Sequence, residues 1–339
     1  AQAKAAGLGA FEQHLKNGRF VLDQPGVQHW VGEEVSPYNQ AALGVLYPQS
    51  DIDSLFGAAA QAMDSWAQAS ITERIGVLME VIDVIYRDHL FEVLHAVMHT
   101  AGQSYNMAYA GSGVNGLDRS IEALVYAEQA MRSVAPSALW QRRFGSSDIR
   151  LQKTYRLVPR GTAVCFSCAS FPTWNAWPSM MASLATGNPV IVKPHPATVL
   201  PMAITVKAFR QVLQAAGFDP NLVTLAIDTA SEPIGKQLIQ HPQTAIVDFT
   251  GSVRFGQWVE KNAHPALAFT ETAGCNTVVL ESADDLDAAL RSLATTMCLF
   301  SAQMCTSPQN IYVPQSGVKT PQGVVPFTDV ATRLAAAVQ

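Results

Sequence analysis

The sequence predicts an α/β protein organised around a parallel sheet. Three observations carry that expectation. From about Tyr155 onward, short apolar runs alternate with segments of helical periodicity, as in a parallel sheet with crossover helices. Before that point the chain reads mainly as helix. The 339 residues are 48% hydrophobic and 14% charged, a globular composition able to bury one large core or two modest ones.

Taken in order, the opening stretch AQAKAAGLGAFEQHLKNG has no apolar signal-peptide core, so export is not expected. It has no initiating Met, so the true N-terminus is expected upstream. Ser70 to Glu73 has capping-box spacing. A helix should follow with Ile75, Leu78, Met79, Ile82, Ile85 and Tyr86 on its buried face, since they recur at three and four residues. Asp118 to Ala135 repeats the pattern. Strands are expected in GTAVCFSCA, PVIVKP, LVTLAI, AIVDFT and TVVLES, and helices over residues 180–185, 203–216 and 234–240. In such sheets ligands bind beyond the carboxyl ends of the strands. No internal repeat or low-complexity linker interrupts the chain.

A net charge of −5 without a Lys/Arg cluster argues against nucleic acid and anionic membrane as partners. No apolar run approaches the roughly 18 residues of a membrane helix. Five cysteines (165, 168, 275, 298 and 305) are too few for a disulfide framework. They point to a reducing, cytoplasmic setting.

Several motifs read as structural. Gly111, Gly113 and Gly116 form a literal G-x-G-x-x-G, but no strand precedes them, and a turn between helices is expected. Cys165 and Cys168 have C-x-x-C spacing without a second pair, so small buried residues are expected. His95 and His99 share a helix face, with Ala96 where a metalloprotease carries Glu. No G-x-S-x-G is present.

Four windows carry chemistry. Lys193 ends the run GNPVIVKP, where a cation could reach a ribose or phosphate; alone, it reads equally as a surface lysine. Phe249, Thr250, Gly251 and Ser252 join a strand to a helix, and small residues there let backbone N–H groups approach a pyrophosphate. Glu271 lies beside small residues before another apolar strand, as a cap acceptor or a general base. Cys305 lies in LFSAQMCTSPQNIYV, 34 residues after Glu271, as an inert thiol or a nucleophile.

Together, in this order and spacing, GNPVIVKP, FTGS, ETAGCN and AQMC resemble the aldehyde dehydrogenase superfamily over roughly residues 66–313. FPTWNAWPSMMASLATGNPVIVKPHPATVLP is most similar to its phenylacetic-acid-degradation (PaaN-type) branch. The resemblance implies an α/β, aldehyde-dehydrogenase-like fold, with a Rossmann-type parallel sheet in its cofactor domain. Residues 1–268 would hold a helical N-terminal part and an NAD(P)-binding domain. Residues 269–339 would begin an α/β catalytic domain whose remainder lies outside this sequence. Cys305 would be the nucleophile and Glu271 the base that activates water. The family's oxyanion amide falls on Ser170 when counted back from Lys193, with Asn175 as the other candidate. Cofactor contacts would come from Ser167, Cys168, Lys193, His195, Pro196, Gly235, Phe249, Gly251, Ser252, Phe255 and Thr272.

Pro196 stands where the family carries an acidic residue that binds the adenosine ribose, and His195 is beside it. NADP is therefore favoured over NAD. Cys275 takes the family's lysine position, and Cys298, in an apolar helical pattern, is expected to be buried. The implied reaction is oxidation of an aldehyde to a carboxylic acid. The branch implies a semialdehyde from an opened aromatic ring, able to carry coenzyme A, and the family implies a homo-oligomer. Two rival classes stay open: a cysteine acyl-transferase or thioesterase without nicotinamide, and a non-catalytic scaffold of the same fold.

Overall fold

The computed structural model describes residues 2–339. It divides into two compact units, the first ending at Glu271 and the second running Thr272–Gln339.

The first unit opens with α1 (Gln2–Asn17), β1 (Val27–Val31) and β2 (Tyr47–Ser50), the two strands pairing antiparallel. Helices α2 (Ile52–Gln68), α3 (Ile71–Val84), α4 (Leu90–Ala101), α5 (Tyr105–Met107) and α6 (Asn115–Arg132) follow. The predicted capping box starts α3: Ser70 Oγ accepts from Glu73 N at 3.1 Å, and Glu73 Oε2 accepts from Ser70 N at 2.7 Å. The buried stripe is Leu78, Val81, Ile82 and Ile85, while Met79 and Tyr86 face solvent. The stripe is narrower than expected because only positions i, i+3, i+4 and i+7 meet the core.

Gly111 and Gly113 lie in a π-helical stretch, Ala108–Val114, and Gly116 lies in the first turn of α6. The expected turn between helices is not there. A Cβ at Gly116 would sit 3.0 Å from the Trp177 ring, and one at Gly113 would sit 2.9 Å from Leu90 Cδ1. These glycines let helices approach closely; they hold no phosphate loop.

Next comes a hairpin of β3 (Ser137–Phe144) and β4 (Ser147–Thr154), paired over its whole length and exposed. This hairpin is not among the elements expected from the sequence. Its two-residue Gly145-Ser146 connection, with Gly145 at φ +59°, is the signal that could have found it.

The sheet follows: β5 (Thr162–Ser167), α7 (Pro172–Ala185), β6 (Val190–Pro194), α8 (Leu200–Ala215), β7 (Val223–Leu225), α9 (Gly235–Gln240), β8 (Thr244–Gly251), α10 (Val253–Asn262) and β9 (Leu267–Thr272). β5 to β8 fall in expected strands, whereas β9 was not expected, and the strand expected in TVVLES pairs within the second unit instead. The strand order is β7-β6-β5-β8-β9. β5 is parallel to both β6 and β8, and β6 is parallel to β7. β5 and β6 are buried along their whole length, so they read as continuous apolar runs rather than alternating ones. The chain steps outward from β5 to β7 and then returns to the other side at β8. The carboxyl ends of β5 and β8 therefore flank a switch point.

The second unit contains β10 (Thr277–Val279), α11 (Leu286–Cys298), β11 (Asn310–Tyr312), β12 (Val318–Thr320), β13 (Gly323–Val325) and α12 (Phe327–Val338). β10 and β11 pair parallel, and β12 and β13 form a hairpin. Leu280, Leu286, Leu290, Val318 and Val330 make its core. Cys298 is exposed, contrary to expectation. The buried stripe of α11 is Leu286, Leu290 and Ala294, and it runs out one turn before the helix ends at Cys298.

Among the described residues, no helix is long and apolar enough to cross a membrane. Among the same described residues, no group of three or more His, Cys, Asp or Glu could hold a metal ion. His95 and His99 instead stack on Phe11, and His99 Nδ1 pairs with Ser36 Oγ at 3.1 Å.

Candidate active site

The candidate cofactor residues of the first unit gather at the carboxyl ends of the parallel strands. Lys193 is not a surface lysine: it is buried in β6. Its Nζ lies 2.6 Å from Asp228 Oδ1 and donates to Pro194 O at 3.0 Å. Asp228 stands three residues beyond β7, is 4% exposed, and accepts from Ile234 N through Oδ2 at 3.1 Å. Although Oδ1 is close to the ammonium, no donor among the described residues reaches it in hydrogen-bond geometry. A buried carboxylate oxygen with an unused lone pair is a site for a hydroxyl donor.

His195 N donates to Ser167 O at 3.1 Å, which fixes the start of the turn carrying Pro196. Burial, and then the Lys193 charge, hold the His195 imidazole below its ordinary pKa. Ser167 Oγ donates to Pro172 O at 2.9 Å and ties β5 to the start of α7. Glu33, from the segment before β2, accepts from Ala230 N at 2.8 Å, two residues after Asp228.

Beyond the switch point, β8 ends at Gly251 and Ser252 caps α10, its Oγ accepting from Phe255 N at 3.3 Å. A Cβ at Gly251 would lie 2.6 Å from the Phe249 ring. Gly235 opens α9, where a Cβ would meet the Phe166 and Phe255 rings at 3.3 and 3.4 Å. Phe166, Phe249 and Phe255 pack with centroids 5.3 to 6.2 Å apart. The structure thus brings Gly235, Phe249, Gly251, Ser252 and Phe255 together. A strand ending in small residues at a capped helix, plus an orphan buried carboxylate oxygen beside a lysine, fits a dinucleotide.

The two oxyanion candidates sit at the start of α7. Asn175 Nδ2 donates to Cys168 Sγ at 3.3 Å, and Phe171 N donates to the same sulfur at 3.4 Å. Asn175 Oδ1 is buried without a hydrogen-bond partner among the described residues. Ser170 Oγ is 3.8 Å from Cys168 Sγ, and its carbonyl accepts from Gln103 Nε2 at 2.7 Å. Cys165 is buried within β5, where burial drives its thiol pKa far up. Glu271 is exposed on β9. On the neighbouring β8, burial raises the pKa of Asp248 to about 6, with the Glu271 charge adding to it.

In the second unit, Thr272 closes β9 and Cys305 lies in an exposed loop before β11. Asn276 organises that loop. Its Nδ2 donates to the carbonyl of Cys305 and, at 3.1 Å, to that of Ser307. Its own carbonyl accepts from Gln309 N at 2.9 Å and Asn310 N at 3.2 Å. Asn310 Nδ2 donates to Cys275 Sγ at 3.2 Å.

Comparison with known proteins decides the family. The sequence model of the Aldehyde dehydrogenase family matches residues 30–324. The chain belongs to the aldehyde dehydrogenase family. A solved NAD-dependent aldehyde dehydrogenase from Burkholderia multivorans superposes with a TM-score of 0.93 at 44% identity, covering 100% of this chain and 61% of that one. A 1-pyrroline-5-carboxylate dehydrogenase of Bacillus subtilis is 27% identical over 273 residues, which are 76% of this chain and 49% of that protein. A benzaldehyde dehydrogenase of the same organism is 24% identical over 298 residues, 86% of this chain and 58% of that protein. The chain therefore spans about half to three-fifths of the relatives it matches.

Within this aldehyde dehydrogenase-family chain, three site features escaped the sequence. Asp228 follows Lys193 by 35 residues, across α8 and β7, and only the sheet order joins them. Asn276 was readable as the last residue of ETAGCN, but its grip on Cys305 spans 29 residues. Asp248 reads as part of an apolar strand, and its half-buried place beside α7 appears only in three dimensions.

Proposed function

We propose that the protein oxidises an aldehyde to a carboxylic acid, with Cys305 as nucleophile and a nicotinamide dinucleotide as hydride acceptor. The observation that carries this reading is the Asn276 amide pinning the carbonyl of Cys305 in an exposed loop. A nucleophile must be both accessible and held. Cys165 and Cys168 are buried; Cys275 and Cys298 are exposed, but their contacts, from Asn310 Nδ2 at 3.2 Å and to Val338 O at 4.0 Å, engage the sulfur itself, the atom that would react.

The first unit is then the cofactor-binding part with its helical N-terminal region, and the second begins the catalytic domain. Lys193, the Ser252-capped start of α10 and the small residues at Gly235 and Gly251 would hold the dinucleotide, which supplies the hydride acceptor when bound. The Cys305 thiolate adds to the aldehyde carbon. The resulting oxyanion takes a hydrogen bond from the Cys305 N–H, worth about 3–4 kcal/mol in comparable sites, and the family resemblance implies Asn175 or Ser170 as a second donor. Loss of hydride leaves a thioester on Cys305, and Glu271 draws a proton from water to release the acid. A carboxylate base in this role favours hydrolysis over transfer to coenzyme A. The aromatic-degradation branch supplies the substrate proposal, a semialdehyde able to carry coenzyme A. The exposed β3–β4 hairpin, with Leu139, Trp140, Phe144 and Leu151 uncovered, supports a homo-oligomer.

The test is aldehyde-dependent reduction of NAD or NADP across a panel holding 1-pyrroline-5-carboxylate, benzaldehyde and ring-opening semialdehydes. Cys305→Ala is expected to abolish it. Normal turnover by Cys305→Ala would remove the nucleophile assignment, and failure to bind either dinucleotide would favour the acyl-transfer or scaffold reading.

A further inference from the structure

We infer that Asp228, helped by Glu33, makes this cofactor site select NAD and reject the 2′-phosphate of NADP. The inference rests on the dinucleotide reading above and reverses the preference expected from Pro196. That expectation counted the carboxylate as lost because position 196 holds proline. The fold supplies another, from the loop after β7, 2.6 Å from the Lys193 ammonium.

The charges facing this corner can be enumerated. Lys193 contributes one positive charge and Asp228 cancels it at 2.6 Å. Glu33 reaches the same loop through Ala230 N and acts electrostatically on His195, as Asp228 does. His195 is the remaining titratable group, and burial together with Lys193 keeps it neutral near pH 7. The corner is therefore net negative, despite its lysine. A 2′-phosphate, with a charge of about −1.5 to −2, would meet a lysine already neutralised and two carboxylates. A ribose diol has the opposite requirement. Its hydroxyl can donate to Asp228 Oδ1, which is buried and accepts no hydrogen bond among the described residues, while Lys193 Nζ can donate to a hydroxyl oxygen. The same two groups thus attract the diol and repel the phosphate, which is discrimination by both contact and repulsion.

The experiment is titration calorimetry of the protein with NAD and NADP, without aldehyde. Wild-type protein is expected to bind NAD at least about tenfold tighter than NADP, the size of effect one unfavourable charge contact produces. Asp228→Asn keeps an oxygen to accept from Ile234 N but removes the charge and frees Lys193. It is expected to narrow the preference at least about fivefold, chiefly by tightening NADP. Glu33→Gln, at an exposed position, should narrow it in the same direction by a smaller factor, and serves if Asp228→Asn does not fold. Equal or tighter binding of NADP by the wild type overturns the inference while leaving the dinucleotide reading intact. So does an unchanged ratio in the folded variants. Binding of neither dinucleotide removes the dinucleotide reading and this inference together.

Discussion

Asn276→Ala should loosen the Cys305 loop selectively. The substitution removes two hydrogen bonds from one amide, to the carbonyls of Cys305 and Ser307. In a partly exposed setting each is worth roughly 0.5–1.5 kcal/mol, so the loop loses about 1–3 kcal/mol of local stability. At 1.4 kcal/mol per decade, its opening equilibrium rises about 5- to 140-fold. Amide hydrogen exchange reads this directly. Gln303 N and Ser307 N, bonded to Phe300 O and Met304 O at 3.0 and 3.1 Å, should exchange faster by that factor. Gln309 N and Asn310 N bond to the backbone carbonyl of Asn276, which alanine retains, so they are the internal control. Under the proposed mechanism, aldehyde oxidation should fall about 100-fold, the cost of misplacing a nucleophile by an ångström. Unchanged exchange at Gln303 and Ser307 would refute the anchoring role. Equal acceleration at Gln309 and Asn310 would show a general opening instead.

Three further outcomes follow from the packing. Burial raises the Glu34 pKa from 4.5 to about 7, so its contribution to stability is full below pH 4.5 and is lost as pH rises through 7; that is on the order of 3 kcal/mol, and Glu34→Gln should flatten this part of a urea-midpoint profile between pH 5 and 8. Arg74 is buried and donates to Ala185 O at 2.9 Å and Ala69 O at 2.6 Å, joining the ends of α2 and α7; Arg74→Leu should cost about 2–4 kcal/mol in denaturant unfolding, because it leaves buried carbonyls unpaired. A Cβ at Gly7 would lie 2.3 Å from Phe91 Cβ, so Gly7→Ala should destabilise the α1–α4 contact by about 1–3 kcal/mol despite alanine's better helix propensity, again read from the urea midpoint.

What the sequence showed and what it hid divide along physical lines. β5 and β6 were legible because a strand buried between helix layers must be apolar on both faces. Ser70 and Glu73 were legible because a capping box is a local contract between residues three apart. The β3–β4 hairpin was not, because SALWQRRF and SDIRLQKT mix polar and apolar residues on strands exposed along nearly their whole length. Cys298 was misplaced because helical periodicity identifies a stripe without saying where its covering core ends. Lys193 could be placed at the end of its strand, but its burial depends on Asp228, which pattern alone does not connect to it. The Gly111–Gly116 motif misleads for the converse reason. Close helix packing and phosphate binding both call for glycine, and only the surrounding element distinguishes them.

The N-terminal segment, which pattern alone would treat as a separate helical preface, completes the first unit of the fold. β7 is an edge strand of three residues, and an unpaired edge invites other strands. The side chain of Gln24 closes it: Nε2 donates to Leu225 O at 2.8 Å and Oε1 accepts from Leu225 N at 2.9 Å, as a neighbouring peptide would. Nearby, Arg210 reaches from α8 to Asp23 O and to Val223 O, the latter at 2.9 Å. Glu34 accepts from Val199 N and Leu200 N, satisfying donors at the start of α8 that would otherwise be orphaned in the interior. Its neighbour Glu33 binds the loop after β7. A single extended segment thus seals the sheet edge, caps the helix that follows Lys193, and places a charge beside Asp228. The family match begins only at residue 30, yet Gln24 lies before it. Removal of residues 2–31 should therefore expose the β7 edge and disorder the Lys193–Asp228 corner. Loss of NAD binding would accompany new protease cleavage near residues 219–232. A shortened chain that binds NAD as tightly as the intact one would show that the segment only covers the sheet.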